Sequence, residues 1–205
     1  MMNKEKSNLR ENIEAILIAI IIAMFIRSFI VQAFKIPSGS MENTLLIGDH
    51  ILVNKFIYGV KLPFINKTII PFKNPKNGDI VVFTFELDPD KKDFIKRVIG
   101  IAGDAIEIRD KKVYVNGKIT EQYPAIFSDE KTYPENVNPR DNLGLVTVPE
   151  NSLFVMGDNR DNSYDSRFWG FVNLKSVKGR AFMIYWSWDS SSFGVRWKRI
   201  GDTIK

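Results

Sequence analysis

The chain has 205 residues, a formal net charge of +5, 44% hydrophobic and 26% charged residues, a balance that fits a globular body and excludes wholesale disorder. It has no cysteine and one histidine, His50, which removes disulfide scaffolds, thiolate and multi-histidine metal sites and cysteine nucleophiles, and leaves one possible base for a Ser-His-Asp triad. The basic balance suits an anionic membrane surface or nucleic acid and does not choose between them.

The first twelve residues carry Lys4, Lys6 and Arg10, and an apolar run follows over 13–34. A helix there reaches about 30 Å at 1.5 Å per residue, so the run reads as a transmembrane anchor. Arg27 is the awkward residue, costing roughly 2.5–3.5 kcal/mol near a bilayer centre and less if its guanidinium reaches the headgroups. Bulky Phe29, Ile30, Val31 and Phe34, where a small-x-small cleavage site belongs, argue against a removed leader. Basic residues ahead of the anchor predict a cytoplasmic N-terminus, with residues 35–205 across the membrane.

After the anchor the period changes from helical to alternating, and the body is expected to be mainly β. Strands are predicted at 51–58, 79–85, 94–101, 105–109, 112–116, 145–148, 152–156 and 180–188. Asn77-Gly78, Asp110-Lys111 and Asn116-Gly117 are the turn signals, the last a strong hairpin dipeptide. Residues 120–144, with Pro124, Pro134 and Pro139 among charges, read as a surface excursion.

Three segments carry chemistry. In 34–41 (Phe-Lys-Ile-Pro-Ser-Gly-Ser-Met) a strand-like approach meets Pro and Gly and presents Ser40 on a tight turn. A serine nucleophile needs a base. His50 stands ten residues on, at the start of a β run, where a lone histidine is more often structural. A lysine at its ordinary pKa is neutral in only about one molecule in 2,500 at pH 7, and lowering that pKa by about three units takes roughly 4 kcal/mol of apolar burial. In 94–100 (Phe-Ile-Lys-Arg-Val-Ile-Gly) alternation puts Lys96 on the face of Phe94 and Val98, with Arg97 on the other. Lys55 sits similarly between Val53 and Ile57, so alternation leaves both lysines open. In the third segment, 157–170, an EF-hand reading fails because Arg160 and Trp169 stand where oxygen ligands belong. Its interleaved acids and arginines predict internal ion pairs that fix a loop, with Ser163 able to hold a nearby amine.

In this order behind an N-terminal anchor, four stretches resemble the bacterial type I signal peptidases, or leader peptidases: 36–45 (Ile-Pro-Ser-Gly-Ser-Met-Glu-Asn-Thr-Leu), 48–56 (Gly-Asp-His-Ile-Leu-Val-Asn-Lys-Phe), 96–104 opening with Lys-Arg-Val-Ile-Gly, and 157–170. The resemblance implies a two-lobed antiparallel β-sheet body: a catalytic domain of 35–104 and 153–205, a ribbon near 59–77 and an inserted lobe at 105–152. It implies Ser40 as nucleophile, Lys96 as general base and an oxyanion hole of the Ser38 hydroxyl and the Ser40 N–H. It further implies Ser163 orienting the amine, and Asp158, Arg160, Asp165 and Arg167 as polar scaffold, without metal or organic cofactor. The implied activity is removal of signal peptides from exported preproteins, cutting after a small residue with another two positions earlier. Ile36, Met41 and Ile95 flank the reacting pair and are expected to line shallow pockets. The implied setting is the bacterial inner (cytoplasmic) membrane, crossed once, with lipid and no nucleic acid as partner.

Asn43 and Ala102 stand where the family usually has proline, which bears on turn rigidity and not on the reacting groups. A self-cleaving Ser-Lys repressor would need a DNA-binding module where this chain has its apolar run. A membrane-tethered β-domain without catalysis is the rival from another class.

Overall fold

The computed structural model describes residues 2–61, 68–70, 73–120 and 123–205. Helix α1 (Met2–Phe25) passes into a wide helical turn at Ile26–Ile30, and Val31–Lys35 is already strand β1. The anchor expected over 13–34 is therefore not a single helix. Among the described residues no helix is long and apolar enough to cross a membrane. Arg10, Glu11 and Glu14 interrupt α1, and the apolar remainder from Ala15 to Phe25 is about 16 Å long. That remainder is unpacked, with Ile21 61% exposed.

The strands that follow are β2 (Asp49–Asn54), β3 (Val60–Lys61), β4 (Thr68–Ile70), β5 (Ile80–Thr84), β6 (Asp93–Ile101), β7 (Ala105–Arg109), β8 (Lys112–Val115), β9 (Lys118–Ile119), β10 (Leu143–Thr147), β11 (Ser152–Met156), β12 (Val172–Asn173), β13 (Val177–Asp189) and β14 (Gly194–Val195). An antiparallel sheet has the order β1-β2-β13-β5-β6-β11-β12, with β14 against β13; β10-β7-β8-β9 form a second sheet and β3-β4 a ribbon. Of the ribbon expected near 59–77, positions 62–67 and 71–72 lie outside the described residues.

Period-two patterning explains the layering. On central β5, Ile80 and Val82 enter one core with Ile36, Met41, Leu45 and Ile51, while Val81 and Phe83 enter another with Val98, Leu153 and Val155. A strand buried on both faces reads as a continuous apolar run, and each such side chain contributes roughly 1.5–3 kcal/mol. The second sheet packs Ile106, Ile108 and Val113 against Ile99, Phe154 and Met156. It thus shares a core with β6 and β11.

Turn chemistry sets the strand ends. Asp110, Lys111, Asn116 and Gly117 all have positive φ, as tight hairpins require. The strand expected over 51–58 stops at Asn54, whose Oδ1 accepts from the N–H groups of Phe56 and Ile57 and turns the chain into a 3-10 helix at Phe56–Tyr58.

Candidate active site

Strand β1 leads into the turn that carries Ser40. Ile36 N–H donates to Asp49 O at 2.8 Å and Gly48 N–H to Ile36 O at 3.0 Å, after which Gly39–Met41 forms one turn of 3-10 helix. Ser40 is 9% exposed. As the second residue of that turn its N–H has no acceptor within the helix. Ser38 precedes the turn, exposed, and its hydroxyl caps none of the turn's N–H groups.

Lys96 lies in β6 opposite Val81 and is 4% exposed. Its Nζ stands 2.8 Å from Ser40 Oγ and donates to Ile95 O at 3.1 Å, 5.5 Å from the centre of the Phe94 ring. Burial pulls the amine from 10.5 down to about 8; Arg167 acts in the same direction, and Asp165 and Asp158 oppose it. About one amine in ten is then neutral at pH 7. Lys55 has no such place. It follows the end of β2, half-buried, its amine lowered by burial and by the charge of Lys178. His50 pairs across β2 with Lys35 and Trp186, and its ring meets Tyr185 edge-on.

Behind the pair, the 157–170 loop is built on two buried Arg–Asp pairs. Asp158, fully buried, accepts from Arg97 Nε at 2.8 Å and Nη2 at 2.7 Å and from Thr44 Oγ1 at 2.5 Å. Asp165, also fully buried, accepts from Arg167 Nε and Nη2, both at 2.8 Å, and from Gly157 N–H at 3.0 Å. Burial pushes the Asp165 carboxyl up, but the Arg167 charge and these bonds outweigh it and hold it below the usual value. Asp165 also caps the short helix α2 (Ser166–Trp169). Arg160 donates to Gly157 O at 3.2 Å and accepts at its own carbonyl from Arg167.

Ser163 lies beside the Asp165 carboxylate, and its Oγ makes no hydrogen bond of normal geometry among the described residues; the amine's contacts are Ser40 Oγ and Ile95 O. Gly157 lies against both the Ser163 hydroxyl and the Ser40 carbonyl, and its missing side chain lets the two approach: a Cβ there would lie 2.3 Å from both Ser163 Oγ and Ser40 O. Ile36 and Met41, at 2% and 0% exposure, are core and offer no surface to a ligand, whereas Ile95 and Phe34 are part-exposed beside them.

Arg97, Thr44 and Asn159 join the site unforeseen. Arg97 was visible as a charge inside an apolar strand, which needs a buried partner; the other two have no signal at all in the sequence. Two cavities lie apart from the pair. One of about 400 Å³ is lined by Asn43, Thr44, Arg199 and Asp202, and one of about 170 Å³ by Phe83, Phe85, Trp169 and Phe171.

The sequence pattern of the family described as "Signal peptidase, peptidase S26" matches residues 9–186. A signal peptidase I of Pseudomonas aeruginosa is 38% identical over 192 residues, covering 80% of this chain and 67% of that protein. That of Aquifex aeolicus is 37% identical over 230 residues, 87% and 85% of the two chains. A crystal structure of a signal peptidase I from Enterococcus faecalis, 34% identical, covers 53% of this chain and 97% of that one with a TM-score of 0.42. A match over nearly the whole β body and much of α1, with relatives this similar along most of their own length, places the chain in the signal peptidase family, peptidase S26, whose members are serine endopeptidases.

Proposed function

We propose that the protein removes signal peptides from exported preproteins with Ser40 as nucleophile and Lys96 as general base. The observation that carries this is the 2.8 Å separation of Lys96 Nζ from Ser40 Oγ in a site that lowers the amine to about 8. A neutral amine at that distance takes the hydroxyl proton as Oγ attacks the scissile carbonyl; the protonated amine then delivers it to the leaving nitrogen. The acyl-enzyme is hydrolysed when the same amine, neutral again, activates water. The Ser40 N–H and the Ser38 hydroxyl receive the developing oxyanion, a contribution of about 10–1,000-fold for one donor. Asp158, Arg160, Asp165 and Arg167 hold the frame around the amine, and Ile95 lines the surface that meets the small residues before the cut.

The same reading puts α1 in lipid. Its Ile13, Ile16, Leu17, Ile20, Ile21 and Met24 are exposed, uncovered by the described residues, and an exposed apolar helix with a charged leading half suits a bilayer boundary. The turn at Ile26–Ile30 then delivers β1 and Ser40 close to that surface, with the charged start of α1 on the cytoplasmic side. Incubating the detergent-solubilised protein with a preprotein and sequencing the new N-terminus tests reaction and specificity together. Cleavage that persists in Ser40→Ala or Lys96→Ala refutes the assignment.

A further inference from the structure

The 157–170 loop touches the nucleophile's turn through a residue that the reaction scheme leaves unused. Asn159, 6% exposed, donates its backbone N–H to Ser40 O at 3.1 Å and its Nδ2 to Gly39 O at 3.1 Å and to Glu42 Oε2 at 3.2 Å. The amide is aimed from behind, because Asn162 Nδ2 donates to Asn159 Oδ1 at 3.1 Å. Glu42 closes the other side: its carboxyl packs over Gly39, where a Cβ would come within 3.0 Å of it.

The inserted lobe grips this same loop. Asp161 accepts from Lys111 Nζ at 3.0 and 3.1 Å, from Ser128 N–H at 2.8 Å and from Asp129 N–H at 3.1 Å. Arg160 N–H donates to Ile126 O at 2.9 Å. Both anchors lie in the single 3-10 turn, Arg160–Asn162, that directly follows Asn159. Gly39–Met41 is itself one such turn, a geometry with weak hydrogen bonds of its own, so the placement of Ser40 Oγ depends on what holds its carbonyls.

We propose that Asn159 is a positioning residue for the nucleophile, clamping the carbonyls of Gly39 and Ser40, and that the lobe holds the clamp in place through Asp161 and Lys111. This rests on Ser40 and Lys96 as the reacting pair. A displacement of about 1 Å at a reacting atom costs on the order of 100-fold in rate, which sets the scale of the effect.

The test is steady-state cleavage of a preprotein by the full chain in detergent. Asn159→Ala lowers kcat about 10- to 100-fold with KM within twofold, while the acid limb of the pH profile stays near 8, because the setting of Lys96 is unchanged. Asn159→Asp, which points a carboxylate at Glu42 and at Gly39 O, falls further, and Asn159→Asp/Glu42→Gln regains at least tenfold because the amide introduced at position 42 donates to the carboxylate at position 159 and ends the repulsion between two carboxylates. Lys111→Met, remote from the turn, lowers kcat about threefold or more without changing KM. The clamp is overturned if Asn159→Ala keeps kcat within twofold, if its loss appears in KM, or if adding Glu42→Gln to Asn159→Asp brings no recovery; the lobe's part is overturned if Lys111→Met matches the parent. Ser40→Ala in the same assay separates the two readings. If it is inactive while Asn159→Ala is unaffected, the clamp alone fails, whereas activity in Ser40→Ala overturns both.

Discussion

Replacing Lys96 by Met should abolish cleavage and, at neutral pH, stabilise the fold. The amine drops from 10.5 to about 8 on folding, chiefly by burial; at about 1.4 kcal/mol per pH unit, keeping it charged inside the protein costs roughly 3 kcal/mol. Below about pH 8 both folded and unfolded chains carry the proton and the whole cost is present. Between about 8 and 10.5 the unfolded chain binds more protons than the folded one, so stability contributed at this site rises with pH. Met keeps the length and apolar bulk of the side chain and loses the contacts with Ser40 Oγ and Ile95 O, each about 1 kcal/mol. The net gain at pH 7 is therefore on the order of 1 kcal/mol, shrinking above about pH 8 and reversing within the 8–10.5 window, at about pH 9. Denaturant unfolding of both proteins from pH 7 to 10.5 reads the difference, in which groups common to the two cancel. A Met variant less stable than its parent at pH 7, or a difference that does not change with pH, refutes the account.

The rate itself should follow the amine: kcat/KM falls tenfold per unit below about pH 8 and levels above it, and a profile flat from pH 5 to 9 excludes Lys96 as base. Arg97→Met leaves Asp158 buried without its cation, at a cost of about 3–5 kcal/mol, whereas Arg97→Met/Asp158→Leu should recover much of that in thermal unfolding. Gly157→Ala places a Cβ against Ser40 O, a backbone atom with nowhere to move, and should lower turnover at least tenfold with the enzyme still folded by circular dichroism.

Which parts of this could be read in the residues follows from where a period holds. Strand alternation put Phe94 and Val98 on the face of Lys96, and both pack in one core, which gives the apolar wall of Lys96. The same rule could not separate Lys96 from Lys55, because the side chain of Asn54 ends β2 one residue before Lys55. The stretch at 13–34 failed differently. An apolar run has no period to mark where helix becomes strand, and only pairing with β2 makes Val31–Lys35 extended. A 3-10 turn likewise has no long-range period, so flanking Ser40 said nothing of whether Ile36 and Met41 face solvent or core. The hydroxyl of Ser163 turns on a rotamer, and the amide of Asn159 on contacts with residues 117 and 120 positions away.

Two buried carboxylates beside an amine proposed to act as a base look self-defeating, since each alone favours the ammonium. The arginines resolve this. Asp165 is bound bidentately by Arg167 and Asp158 by Arg97, so each pair brings little net charge near Lys96, and Arg167 offsets at the amine part of what Asp165 adds. Burial is left as the dominant influence. A frame of apolar side chains would give the same desolvation, but it could not fix the N–H of Gly157, the hydroxyl of Thr44 and the cap of α2 at once. Paired acids and bases supply directional bonds with little net field, and that combination lets a rigid polar loop stand behind a lysine whose pKa burial lowers.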